Sequence, residues 1–190
     1  MSKPWNDWYH VTVHTYGSWL RGDARGWRAR DHREHVDGDY KRPPAPGTYA
    51  QLYERSKSLM TRPQVWIPNQ LRDPVLTAFV RTLREHGTEV LIASLDGTHG
   101  HLLGRFRKHN PRENVRWAKM RASQAVKCHP LYSGMKIPEG KGLWALRSHA
   151  TPVIDRAHQL KIFKYIHAHA NRDAVLWDFR VHQTIERPNE

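Results

Sequence analysis

The sequence predicts one α+β domain, and three observations carry that reading. Residues 8–20, WYHVTVHTYGSWL, alternate as a strand does. Residues 88–106, TEVLIASLDGTHGHLLGRF, hold two short apolar strands joined by Leu95-Asp96-Gly97-Thr98. Three further stretches, 69–86, 111–128 and 154–170, repeat apolar residues at helical spacing. A length of 190 residues suits a single domain over 1–190 with room for an insertion.

Taken in order, residues 1–7 read as a disordered start. In the opening strand Tyr9, Val11, Val13 and Thr15 form the core side. His10, Thr12, His14 and Tyr16 form the other side, which faces a site or solvent. Residues 21–47 have Gly, Asp, Arg and Pro but no apolar period, so they read as a basic loop insertion. A metal cluster of Asp31, His32, His35, Asp37 and Asp39 is the weaker reading there. Phosphate contacts from Arg21, Arg25, Arg28, Arg30 and Arg33 are the stronger one.

Residues 48–61 suit an amphipathic helix burying Leu52, Leu59 and Met60, closed by Pro63. Val65-Trp66-Ile67 reads as a strand-like link. In the helix over 69–86, Asp73-Pro74 offers an N-cap and a first-turn proline, and Gly87 a stop. The 111–128 helix pairs an apolar stripe (Val115, Ala118, Ala122, Val126) with basic residues. Of these, Arg116, Lys119 and Arg121 are candidate DNA contacts. Residues 131–142 read as a loop and Leu143–Leu146 as an edge strand or turn. The helix over 154–170 starts at Asp155 and buries Ala157, Leu160, Ile162, Phe163 and Ile166. Residues 174–179 suit a last strand, with a loose tail from about 180.

Lys plus Arg number 31 against 18 Asp plus Glu, a formal charge of +13. That balance points to a polyanion, nucleic acid before membrane. Mean hydropathy is −0.79, and no apolar run has the length of a spanning helix. With no leader and one cysteine, Cys128, a cytoplasmic protein without a disulfide or thiolate zinc site is expected. Eight tryptophans and seven tyrosines are enough to fill a core and leave some rings for unpaired bases.

His99 and His101 are two residues apart in the second strand of the hairpin, so they point the same way and can share a metal. Tyr165 and His169, four apart, share a helix face. His169 would complete the ligand set, and Tyr165 would stand beside it as a nucleophile.

These pieces, in this order, resemble the single-tyrosine HUH transposases, the insertion-sequence and REP-associated tyrosine transposase family. The resemblance rests on YHVTVHTYGSWLRGDARGW, VLIASLDGTHGHLLGRF and DRAHQLKIFKYIHAHANRDAVLW, which together span most of the chain. His99 and His101 match the family's histidine pair, Tyr165 its nucleophile, and His169 the polar ligand four residues on. Gly100 departs from it, standing where the family has a bulky apolar residue. The resemblance implies a ferredoxin-like (RRM-like) antiparallel sheet backed by helices, the HUH endonuclease fold. It implies Mg²⁺ or Mn²⁺, a single-stranded DNA substrate with a hairpin, and a 5′-phosphotyrosine intermediate from which strands are rejoined. It admits a homodimer. Two alternatives stay open: a relative that only binds DNA hairpins, and a basic structural RNA-binding protein.

Overall fold

Five strands form one antiparallel sheet: β1 (Trp8–Thr15), β2 (Glu89–Leu95), β3 (His99–Arg105), β4 (Trp144–Pro152) and β5 (Val175–Asp178). Their spatial order is β4-β1-β3-β2-β5. In this computed structural model the described residues are 4–25, 27, 45, 47–107 and 110–182. Among them the helices are α1 (Ala50–Ser58), α2 (Asn69–Glu85), α3 (Pro111–Ala125), α4 (Pro130–Gly134), α5 (Arg156–His167) and α6 (Phe179–His182). The expected α+β class, an antiparallel sheet backed by helices, is what forms. β1, α2, β2, β3, α3 and β4 follow the split β-α-β order, and β5 extends the sheet beyond β2. No helix among the described residues is long and apolar enough to cross a membrane.

Alternation along the strands gives the sheet two unlike faces. Val11, Val13, Ala93, Leu95 and Leu102 point to the side of α2 and α3 and pack with Leu71, Val75, Phe79, Leu83, Val115 and Ala122. Trp8, Ile92 and Leu103 point the other way and meet Val153 with Ile162 and Ile166 of α5. The second cluster is smaller and covers only part of its face. The histidines occupy the rest.

Local chemistry fixes where the helices stop and start. Gly87, at φ +75°, ends α2: its N–H donates to Arg84 O and the Thr88 N–H to Leu83 O, both at 2.9 Å. Those two bonds satisfy carbonyls the last turn would leave open. Asn110 caps α3 through the Arg112 N–H at 3.0 Å, and Asp155 caps α5 through the His158 N–H at 2.7 Å.

Several expectations are corrected. Residues 5–7 form a 3-10 turn, and the Trp5 N–H donates to Val153 O at 2.7 Å, so the start is tied down. β1 ends at Thr15 rather than residue 20. α2 begins at Asn69, a turn before Asp73, and carries Pro74 inside it. Leu59 and Leu160 are exposed, while Gln159 is buried in α5. Residues 130–134 form the short α4, and β4 runs to residue 152. Most of the 21–47 insertion, including Arg28, Arg30, Arg33, Asp31, His32, His35, Asp37 and Asp39, lies outside the described residues, as does the tail beyond 182.

Candidate active site

The site stands on the α5 side of β1 and β3. Direct cross-strand partners share a face, and the register pairs His10 with Leu103, Thr12 with His101, and His14 with His99. The polar side of β1 thus meets the histidine side of β3. α5 crosses the same face, and the 3-10 turn that continues it, Ala168–Arg172, carries His169.

His99, His101 and His169 each present a ring nitrogen, and these atoms all lie within 4.8 Å of one another. A divalent ion bound by imidazoles at ~2.1 Å spaces its ligand nitrogens by about 3–3.5 Å, so small side-chain movements close the set. The His169 Nε2 atom is buried and has no hydrogen-bond partner among the described residues. A buried ring nitrogen left without a partner is costly in a core and is what a metal ligand looks like before it is filled. The residues present therefore fit a metal ion.

Outer partners orient two of the three rings. The His99 Nδ1 atom lies 2.7 Å from Asp96 Oδ2, so Nε2 is left to bind. Asp96 is itself held: its Oδ1 accepts the Thr98 and His99 N–H groups at 2.6 and 2.7 Å. Burial pushes its carboxyl up. The hydrogen bonds from His99 and from these two amides outweigh burial and keep it well below the usual carboxylate range. The His101 Nδ1 atom lies 3.2 Å from His10 Nε2 and 3.3 Å from Thr12 Oγ1. That leaves the His101 Nε2 atom pointing at the other ligands. A carboxylate behind the ring, as Asp96 stands behind His99, is the support that metal-binding histidines ordinarily have.

Burial, and after it the neighbouring imidazoles, push His101 down to about 2 and His10 down to about 4. Burial with His99 and Arg25 pushes His14 down to about 4. His169 is lowered as well, by burial first and then by His99. These rings are neutral at pH 7, the state in which imidazole binds a cation.

Tyr165 stands at the mouth of the cluster. Its hydroxyl lies 3.5 Å from His101 Nε2, and its ring packs edge-on to His101 and His169 at 5.2 and 4.9 Å. At 46% exposure it is open to a substrate. The turn carrying His169 is anchored by Arg72, whose buried guanidinium holds the Asp173 carboxylate at 2.8 Å and the Ile67 carbonyl at 3.2 Å.

No protein-family model matches this sequence, and no curated protein matches it.

Among the described residues the basic candidates do not gather here. Arg116 and Arg121 are exposed on α3, across the sheet from Tyr165. Lys119 is not a surface cation at all. It is buried, and its ammonium donates to the carbonyls of Ala145, Leu146 and Arg147 at 2.5, 3.2 and 3.4 Å, which ties β4 to α3. Burial pushes it down to about 8. Arg25 is near enough to His14 to act on its charge, but its guanidinium is held by Asp23 at 2.6 Å and by the Ser18 carbonyl at 2.6 Å, over the Trp19 ring. Arg21 is exposed, with its guanidinium carbon 5.5 Å from the Trp27 ring centre. Asp96, His10 and Thr12 were missing from the sequence-derived site. The Asp-x-x-His spacing across a hairpin turn was the available signal for the first, and the polar side of the opening strand for the others.

Proposed function

We propose that this chain is a metal-dependent enzyme that nicks and rejoins single-stranded DNA through Tyr165, a transposase of the single-tyrosine HUH kind. One observation carries the reading: an exposed tyrosine hydroxyl lies 3.5 Å from His101 Nε2, in a set of three imidazoles able to share one ion. Each of the four residues that the resemblance implied is in that group. The 4-1-3-2 order of the first four strands supports the ferredoxin-like HUH fold. The charge of +13 supports a polyanionic substrate, and with it a cytoplasmic place of action.

A cation held by His99, His101 and His169 would neutralise charge on the non-bridging phosphate oxygens and fix the phosphate in line. Three nitrogen donors, with Asp96 kept behind His99, favour manganese over magnesium, which prefers carboxylate oxygen. Tyr165 supplies the nucleophile. As its oxygen bonds to phosphorus, the bond to the 3′ oxygen breaks, the phenolic proton leaves, and the freed 3′ hydroxyl takes up a proton. The 5′-phosphotyrosine keeps the energy of the phosphodiester, so a second 3′ hydroxyl can reverse the step and join strands. Gly100 gives the binding-only alternative no support. It faces the α2 and α3 core, where a β-carbon would lie 2.8 Å from Ser94 O and 3.3 Å from Val13 Cγ2, and the flanking histidines keep their direction.

The test is a denaturing gel of protein, Mn²⁺ and labelled single-stranded hairpin DNA. A covalent protein–DNA band that EDTA and Tyr165→Phe both abolish is expected. Tight hairpin binding with no band would favour the binding-only relative, and preference for RNA the structural alternative.

A further inference from the structure

Trp66 is 58% exposed, yet its neighbours Val65 and Ile67 are 2% and 0% exposed. The backbone on both sides is pinned: the Val65 N–H donates to Tyr16 O at 2.9 Å and the Ile67 N–H to Gly97 O at 2.8 Å. In an extended segment with both neighbours in the core, the residue between them points outward. The ring is also held. A β-carbon on Gly97 would fall against Trp66 Cε2, Cζ2 and Cδ2, the middle of the indole. The ring therefore lies face-on over Gly97, and its other face turns outward. A rigid, exposed indole adds little to the fold, because its apolar surface stays in water.

Its position gives it a use. Gly97 sits in the turn between Asp96 and Thr98, and His99 is two residues on. Asp96 and the turn amides that fix His99 are thus on the same few residues that carry the indole. At this end of the sheet the Tyr16 ring adds aromatic surface, with the Arg62 guanidinium 4.2 Å over it and tied to the Gly142 carbonyl at 2.8 Å. A strand of nucleotides reaching His99 along this turn would meet a flat, exposed π surface, the feature on which unpaired bases stack.

We propose that Trp66, seated on Gly97, is a stacking platform for one unpaired DNA base next to the phosphate that Tyr165 attacks. This rests on the single-strand nicking reading above. Stacking on an indole depends on the π face that every base has, so the platform sets the position of the strand rather than its sequence.

The test is fluorescence anisotropy with a labelled oligo(dT) strand at fixed salt, using the full chain. Trp66→Ala is expected to weaken binding by about 5- to 100-fold. Trp66→Phe should stay within a few-fold of the parent, and Mn²⁺ affinity and thermal midpoint should not move in either. Replacing one thymidine at a time by an abasic site should reveal one position that matters in the parent and not in Trp66→Ala. An Ala variant that binds like the parent would overturn the platform and leave the nicking reading standing, since the Tyr165 adduct tests that separately. Loss of Mn²⁺ binding in Trp66→Ala would mark a purely structural residue and overturn it too. A parent chain with no affinity for oligo(dT) would overturn both.

Discussion

The two faces of β1 and β3 are made from alternate residues of the same strands, yet they do opposite work. On the α2 and α3 side, Val11, Val13 and Leu102 are almost wholly buried among aliphatic side chains. On the α5 side, one residue along in each case, stand His10, Thr12, His14 and His101. The apolar face supplies stability through packed area. The other face gathers neutral imidazoles, leaves nitrogen atoms of His14 and His169 buried without partners among the described residues, and exposes a tyrosine. Burying such groups costs free energy unless they are satisfied. The first face is where that cost is offset, so a change to one face should leave the other's property largely intact.

The largest effect belongs to Tyr165→Phe. Covalent adduct should fall at least about a thousandfold, since the phenol oxygen that would bond to phosphorus is gone. The thermal midpoint should hold, because the ring remains. Retained adduct would remove Tyr165 from the chemistry.

Leu83→Ala strikes the opposite face. Leu83 is fully buried, so about 2–5 kcal/mol of stability should be lost in denaturant titrations. Activity per folded molecule at low temperature should be kept. A selective loss of Mn²⁺ affinity in the folded variant would show that the faces are not separable.

Asp96→Asn sharpens the role of the outer partners. It should weaken Mn²⁺ binding by about 10- to 100-fold in isothermal titration, because His99 loses the carboxylate that orients it. Unchanged affinity would make the Asp96 contact a turn feature only.

Gly100→Val probes the boundary between the faces. The added carbons meet Ser94 O and Leu95, and overpacking of this kind costs about 1–3 kcal/mol. A stable variant would mean the strands can part there without cost.

Acid should act on the histidine face alone. His10 and His14 each move from 6.5 in the unfolded chain to about 4 in the folded one. Between those values the unfolded chain takes up protons that the folded chain refuses, so stability present above pH 6.5 falls as pH drops towards 4. Thermal melts in EDTA should show a loss across that window of up to about 3 kcal/mol for each of the two rings, with the more strongly lowered His101 adding to it. A His10→Gln, His14→Gln chain should show less, and an equal loss would assign the effect to other groups.

Much of this arrangement was legible in the residues, and the exceptions have physical causes. The hairpin, β1 and its two sides, and the periods of α2 and α3 were readable because each buries one face against a core; α1 buries no residue, and in α5 Ala157 and Leu160 are exposed. β4 was read as shorter than it is. As an edge strand it is at best half-buried, and although burial alternates over Arg147–Pro152, the residues there, RSHATP, show no apolar–polar alternation that the sequence could reveal. The start of α2 at residue 69 was legible, but its cap was not: Pro68 serves as N-cap without a side-chain bond, while Asp73-Pro74 imitates a start one turn later. Lys119 looked like one more surface cation. Only the approach of β4 carbonyls to α3, a tertiary fact, shows why it is buried. The pair His99 and His101, with Tyr165 and His169, was visible from period alone. Asp96 and His10 were not, since a ring's second nitrogen finds its partner across strands and turns.

The most direct measurement is nitrogen-sensitive pulsed EPR on the full chain titrated with Mn²⁺. One bound ion per chain with couplings from three imidazole nitrogens is predicted, reduced to two by His169→Ala. A bound ion without nitrogen coupling, or no bound ion at all, would contradict the histidine face as a metal centre.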